Sequence, residues 1–525
     1  MQLKKVSFAD THSFNVFFLD YIQQKDNLKP FYNHFPAPAA FKDQLLEKEK
    51  SFSSENRNIL TDVLKKQYGT LTVQQPVESN LAALRSPGTF TVTTGHQLNI
   101  FTGPLYFIYK IITVINTCRQ LRARYPGYRF VPVYWMASED HDYEEIKSFR
   151  LYGKTYSWET SQKGAVGRFN TSGMKDLLNQ VPGEINIFRE AYTKQTKLCD
   201  AVRHYVNALF GHEGLLVIDA DDPQLKSVFK DVIRQDLFEQ VTKKRVNSTN
   251  ASLQELGYKP QIHCRDINFF YLDNEIRGRI EKKEDRFKIL DSNLSFSAEE
   301  IAAQIDSHPE RFSPNVILRP LYQEMILPNL AYAGGPAEVI YWLQLKGVFD
   351  HFKVPFPILM PRNFAMIMDH EVTRKFEKTG LELKDLFEDK NYIFNHWVLK
   401  HSPRNLTVGT ERAMITDIFV KLKERAESVD KTLSAFVGAE GKRAINSLEK
   451  IERKLLRAEK RLHQDKLRQI ESVKDALFPS GNLQERTDNF LNFYQQDPGI
   501  IQLLTDHFDP FDFQFNVLSL DQPGK

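Results

Sequence analysis

A chain of 525 residues that is 41% hydrophobic, 12% aromatic and 26% charged can bury several cores and has the composition of a globular protein. Its 70 lysines and arginines nearly balance 67 aspartates and glutamates, so charge gives no support to a nucleic-acid partner, and three scattered cysteines (Cys118, Cys199, Cys264) argue against a disulfide framework or a structural zinc site. The apolar stretch near the N-terminus is broken by His12, Ser13 and Asn15, and the run at 105–115 is far short of the ~20 residues that span a bilayer, so no membrane segment is expected and a reducing cytoplasm is the expected location.

In chain order, residues 1–85 read as a mainly helical segment, with amphipathic spacing clearest over 55–71. A β-branched strand at 88–95 leads through a polar loop to Pro104, and Leu105, Ile108, Ile112 and Ile115 then follow at helical spacing. A second strand at 129–138 ends in "EDHD", which makes 86–147 a βαβ unit and the first half of a doubly wound α/β core. A connecting insert at 148–213 opens with a hairpin over 148–170. A core strand and a long helix fill 214–262, and a β-rich insert with a hairpin at 267–290 fills 263–312. The second half, 313–370, carries strand, Gly-Gly-Pro loop, helix and strand. Within 371–480, heptad seams through Ile415, Phe419, Leu422, Ala426, Val429, Leu433 and Phe436, and again from Ala444 to Leu462, predict a helical coiled coil. The glycine-bearing stretch 437–442 is the expected turn of an antiparallel hairpin, with one bent continuous coil as the alternative. The last segment, 481–525, returns to the core with a strand near 509–522.

In open α/β sheets, ligands bind outside the carboxyl ends of the strands, and two polar loops are expected there. In "TTGHQLNIFTGPLYFIYKI", Gly95 and Gly103 allow close backbone approach, helix-start amides suit an anion, and His96, Gln97, Asn99 and Thr102 add directed polar groups. Pro104, Tyr106 and Lys110 complete that candidate set. In "SEDHDYEE", Ser138 begins a run in which Glu139, Asp140 and Asp142 are candidate Mg²⁺ ligands and His141 a candidate general base. Asn315, Arg319, Gly334, Gly335, Glu338 and Arg362 are the candidates from the later loops, the arginines as readers of carboxylate or phosphate. Neither GxGxxG nor the phosphate loop ending in Gly-Lys-Ser/Thr is present. The residues alone leave open a nucleotide-dependent ligase or transferase, or a noncatalytic coiled-coil scaffold with a ligand-sensing α/β body.

"TTGHQLNIFTGPLYFIYKI", "PVYWMASEDHDYEEI", "NVILRPLYQ" and "YAGGPAEVIYW", in this order and ahead of a coiled coil, resemble the bacillithiol biosynthesis cysteine-adding enzyme family over most of the chain. The resemblance implies a Rossmann-like core related to the nucleotidylyl transferases, connecting inserts, and a homodimer associated with the coiled coil. It also implies a ligase that joins L-cysteine to the amino group of glucosaminyl-malate through an activated carboxyl, with ATP and Mg²⁺ as the expected cofactors and no zinc. In that reading His96 or Lys110 stabilises developing negative charge. Glu139, Asp140 and Asp142 hold Mg²⁺ or the cysteine ammonium, His141 takes a proton from the sugar amine, and Arg319 or Arg362 holds the malate carboxylates.

Overall fold

A computed structural model of the chain describes residues 2–69 and 71–520. Five parallel strands form the central sheet: β1 (Thr89–His96), β2 (Arg129–Met136), β3 (Leu216–Asp219), β4 (Asn329–Gly334) and β5 (Ile358–Pro361). Their order is β5-β4-β1-β2-β3. The chain starts in the middle, winds outward through β2 and β3, then returns beside β1 and winds the other way. The reversal between β1 and β4 is a topological switch point, where the loops leaving adjacent strands part and leave a crevice.

Three helices frame that crevice: α1 (Tyr106–Arg124) between β1 and β2, α2 (Arg319–Ile326) before β4, and α3 (Pro336–Leu343) after it. Phe107, Ile108, Ile111, Ile112, Val114 and Ile115 are all buried, so α1 is covered on most sides and any charge it carries needs an internal partner. Residues of β2 alternate between two cores, Val131, Val133 and Trp135 on one face and Phe130, Tyr134 and Met136 on the other. Both faces of the sheet are thus apolar and covered, as a parallel sheet requires.

The hairpin expected at 148–170 is confined to Ser148–Leu151 and Lys154–Ser157. The one expected at 267–290 is part of a larger antiparallel sheet that also recruits Ser295–Phe296 and Phe312–Pro314. The single helix expected after β3 is broken into Pro223–Ser227, Lys230–Arg234 and a wide turn at Gln235–Glu239, before Val241–Glu255. At that wide turn the buried Asp236 carboxylate accepts from the backbone N–H of Asn268 at 2.6 Å, an interaction that local periodicity does not reveal. The N-terminal segment also begins with a strand, Gln2–Ser7, which pairs with Gln514–Ser519; that terminal strand in turn lies parallel to Phe364–Met368.

The coiled coil is an antiparallel hairpin of α4 (Gly409–Val429) and α5 (Leu433–Leu462). Arg412 approaches Glu449 and Glu427 accepts from Ser434, pairings whose order reverses along the two helices. The turn is at 430–432, which corrects the expected position at 437–442. Asp430 leaves the helix in an extended conformation, and its carboxylate accepts from the Thr432 N–H and hydroxyl, each at 2.8 Å. Gly438 and Gly441 lie inside α5 instead. At Gly441 an added Cβ would stand 3.0 Å from the Phe419 ring, so this glycine lets the helices approach closely. Gly441→Val is expected to destabilise the hairpin by about 1–3 kcal/mol through overpacking. Thermal unfolding followed by circular dichroism tests this, and an unchanged transition would remove the close-packing role.

Candidate active site

A cavity of about 410 Å³ opens at the switch point, walled by the ends of β1, β2 and β4 and by α2 and α3. Gly95 and His96 close β1, and a Cβ at Gly95 would stand 3.2 Å from the Tyr332 hydroxyl, so a side chain there requires that tyrosine to shift. Lys110, on the first turns of α1, donates to the Gly95 carbonyl at 2.8 Å and pairs with Glu338 Oε2 at 2.6 Å. Burial lowers the Lys110 pKa, and the carboxylate opposes that shift.

Glu338 on α3 is an anchor for this corner. Its Oε2 also accepts from the Gly335 N–H at 2.8 Å, and its Oε1 accepts from the Tyr332 hydroxyl at 2.6 Å. Burial works to raise the carboxyl, but Lys110 and these hydrogen bonds outweigh it and hold the pKa at about 2. Gly334 does not line the cavity; its absent Cβ leaves space for Glu338, whose own Cβ would be 2.9 Å away.

Four side chains on the wall have buried polar atoms without a protein partner, His96 Nε2, Gln97 Oε1, Arg277 Nε and Arg319 Nη2; of these, His96 and Arg319 lie at the β1 and α2 edges of the switch point. Burial, reinforced by Lys110, depresses His96 to about 3, so its imidazole is neutral. Arg319 sits among the rings of Trp135, Tyr332 and Trp342 at 5.4–5.8 Å. Its Nη1 donates to Gln323 at 3.1 Å, and no carboxylate of the protein pairs with it among the described residues. Gln323 in turn donates to Glu324 at 2.9 Å, and Glu324 faces Lys48 at 3.3 Å, so a buried polar chain orients the guanidinium from behind.

The acidic run after β2 behaves differently from the metal-binding expectation. Glu139 is ion-paired with Lys226, and burial pushes its carboxyl up against that attraction. Asp140 accepts from Gln97 at 2.6 Å and faces Arg277 at 3.4 Å. Burial works to raise Asp140, but His141, Arg277 and Gln97 hold it well below the usual carboxylate range. Asp142 is exposed and accepts from the Glu145 N–H at the start of a short helix. The three carboxylates therefore do not converge, and no cluster of metal-ligating groups occurs among the described residues. This donor set does not fit Mg²⁺, which needs several oxygens directed at one point. His141 is also placed outside the cavity wall, half exposed, with Nδ1 against Arg277 at 2.5 Å.

The remaining sequence candidates are distributed as follows. Gln97, Tyr106, Ser138, Asn315, Gly335 and Arg362 line the cavity. Ser138 donates to Asp219, and Asn315 is tied to Asn268 and to the Ile317 N–H. The fork of Arg362 is engaged by Glu485, at 3.0 and 2.5 Å, so the pair is structural and the carboxylate-clamp expectation is corrected. Asn99, Gly103 and Pro104 line an adjoining chamber, and Thr102 lines neither. An added Cβ at Gly103, whose φ is +63°, would fall 2.6 Å from Asn99 Cβ, so this glycine shapes the loop.

Sequence reasoning missed Glu145, Arg277 and Arg486, all on the cavity wall. Glu145 belongs to the same acidic run and lies on the short helix Tyr143–Ile146. Its carboxyl is raised by burial and by the nearby Asp140 and Asp142 charges. Arg277 comes from the β-rich insert, stacks on Phe270 at 4.0 Å, and carries no local motif.

A model of the bacillithiol biosynthesis BshC N-terminal Rossmann-like domain matches residues 1–363, and one of the BshC C-terminal coiled-coil domain matches 365–520. Proteins named "Putative cysteine ligase BshC" are similar throughout. Those of Flavobacterium johnsoniae and Cytophaga hutchinsonii are each 39% identical, covering 98% of this chain and 99% and 98% of their own. That of Bacillus cytotoxicus is 28% identical over 91% of this chain and 93% of its own. With both domain models matched in order and the relatives aligned nearly end to end, the chain belongs to the bacillithiol biosynthesis BshC family, whose curated members are named as cysteine ligases.

Proposed function

We propose that this chain joins the carboxyl of L-cysteine to the amino group of glucosaminyl-malate, giving bacillithiol in the cytoplasm. The observation that carries this reading is that the cavity at the switch point holds unpartnered donors for an anion, among them Arg319 Nη2, with neutral His96 Nε2 also free. Arg319 binds the carboxylate of cysteine and, with His96 donating through its neutral ring, stabilises negative charge on the acyl oxygen as the amine attacks. A carboxylate is a poor acyl acceptor; ATP, when bound, would supply the activation, so that one carboxyl oxygen leaves with AMP or phosphate as the carbon–nitrogen bond forms.

The attacking amine must lose a proton. Glu145 is suited to take it, because its raised carboxyl stands where the main cavity meets the adjoining chamber. Glu338 and Lys110 form a paired, charge-neutral corner that keeps Gly95 and α3 in place. Exposed apolar side chains on the hairpin, Met414, Ile418, Leu422, Phe436, Ile451 and Leu455, support a homodimer paired through the coiled coil.

The purified protein, given L-cysteine and glucosaminyl-malate with and without ATP and Mg²⁺, should yield bacillithiol with matching nucleotide breakdown, followed together by mass spectrometry. Glu145→Gln should lower turnover by about 100-fold or more, whereas His141→Ala should stay within about 3-fold. No product from folded protein under any condition would overturn the ligase reading. A large loss for His141→Ala with none for Glu145→Gln would return the base role to the histidine.

A further inference from the structure

Beside the main cavity lies a second chamber of about 550 Å³, and the two share a wall of Tyr106, Glu145 and Arg486. Its lining differs in one respect that bears on ligands. In the main cavity Lys110, Arg362 and Arg277 each have a carboxylate within 3.4 Å and Arg319 has none, whereas in the second chamber Arg150 is paired only at 3.8 Å and Arg486, shared by both linings, is unpaired among the described residues. Arg150 Nη1 is buried without a hydrogen-bond partner, and the nearest carboxylate oxygen, on Asp488, is 3.8 Å away. Burial pushes the Asp488 carboxyl up to about 6, with Arg150 partly opposing it, and at 3.8 Å it is too far to hydrogen-bond the guanidinium. Arg486 is exposed and makes no ion pair among the described residues.

Asn99, also in this lining, is 7% exposed, and its Oδ1 has no partner. Ser148, Thr155 and Thr487 add polar contacts around it. A chamber with two under-neutralised guanidinium groups, a free amide oxygen and several hydroxyls suits a compact, hydroxylated oxyanion.

We propose that this second chamber is the subsite for the carboxylates of the acceptor, held by Arg150 and Arg486. The inference rests on the acceptor reading given above and deepens it. With its carboxylates in the second chamber, the acceptor crosses the shared wall at Tyr106 and Glu145, which brings its amine to the edge of the main cavity. The two arginines thus bind the acceptor's dicarboxylate arm, while Arg319 serves the amino acid. Nucleotide phosphates have related oxyanion chemistry, so the test separates them.

Binding is measured by isothermal titration calorimetry on full-length wild-type protein, Arg150→Gln, Arg486→Gln and the double variant. The probes are glucosaminyl-malate, methyl glucosaminide, which lacks carboxylates, and ADP. Circular dichroism verifies that each variant is folded. The double variant is expected to bind glucosaminyl-malate about 100-fold more weakly, down to the level of methyl glucosaminide, with ADP binding unchanged. Equal affinity of wild type and double variant for glucosaminyl-malate would overturn the subsite while leaving the acceptor reading intact. Loss of ADP binding alone would overturn it in favour of phosphate recognition. Wild-type protein that binds ADP and L-cysteine but not glucosaminyl-malate would overturn the acceptor reading and the subsite with it. Should the double variant fail to fold, Arg486→Gln alone, at an exposed position, carries the same test with a loss of about 10-fold expected.

Discussion

Replacing Arg319 by methionine is expected to reduce kcat/KM for L-cysteine by about 100-fold or more, because a ligand carboxylate would then be buried opposite no cation. Methionine preserves most of the apolar stem, so packing among Trp135, Tyr332 and Trp342 changes little. Arg319→Lys is expected to recover only a small part of the activity. A single ammonium cannot keep the Gln323 contact through one nitrogen and present another to the ligand. The effect should fall on cysteine and leave acceptor affinity within about 3-fold, since truncating a contact acts on the ligand it touches. Steady-state kinetics with each substrate varied in turn makes this measurement. An Arg319→Met enzyme with wild-type kcat/KM for cysteine would exclude the arginine from substrate binding.

The second large effect is on stability. Glu485→Ala is expected to cost about 3–5 kcal/mol, because it leaves the Arg362 cation buried and uncompensated. Both side chains of this pair are at most 2% exposed. Glu485 also accepts from the Ala365 N–H at 3.1 Å, and the Arg362 guanidinium packs on Phe364 at 4.1 Å. The pair therefore fastens the C-terminal segment to the strand that follows β5. Removing both charges, as in Arg362→Met with Glu485→Leu, is expected to recover much of the loss, since two apolar groups need no ionic partner. Urea unfolding of the three proteins tests this. A double variant no more stable than Glu485→Ala would mean that packing, and not the stranded charge, dominates.

The strand and helix content of the core was legible because its cause is local. The β-branched run before Gly95, the apolar spacing after Pro104 and the Gly-Gly-Pro loop before α3 each encode an element within about a dozen residues. The heptad seams showed two helices for the same reason. The position of their turn was not legible. Gly438 and Gly441 resemble a break in sequence, but in the hairpin Gly441 faces Phe419, and the chain reverses where Asp430 can satisfy Thr432.

Of the site, the sequence by itself determined which loops would stand at the carboxyl ends of the strands, and so brought Gly95, His96, Arg319 and Glu338 into consideration. The tertiary structure decided which of the charged groups remain available to a ligand. Lys226 reaches Glu139, Glu485 reaches Arg362, and Arg277 arrives from the β-rich insert to face Asp140 and His141. Each partner comes from a distant segment that leaves no mark on the local motif. A buried charge needs a counter-charge, and which side chain supplies it is set by long-range packing; the atoms left without a hydrogen-bond partner, on Arg319, His96 and Arg150, emerge only when the whole chain is in place.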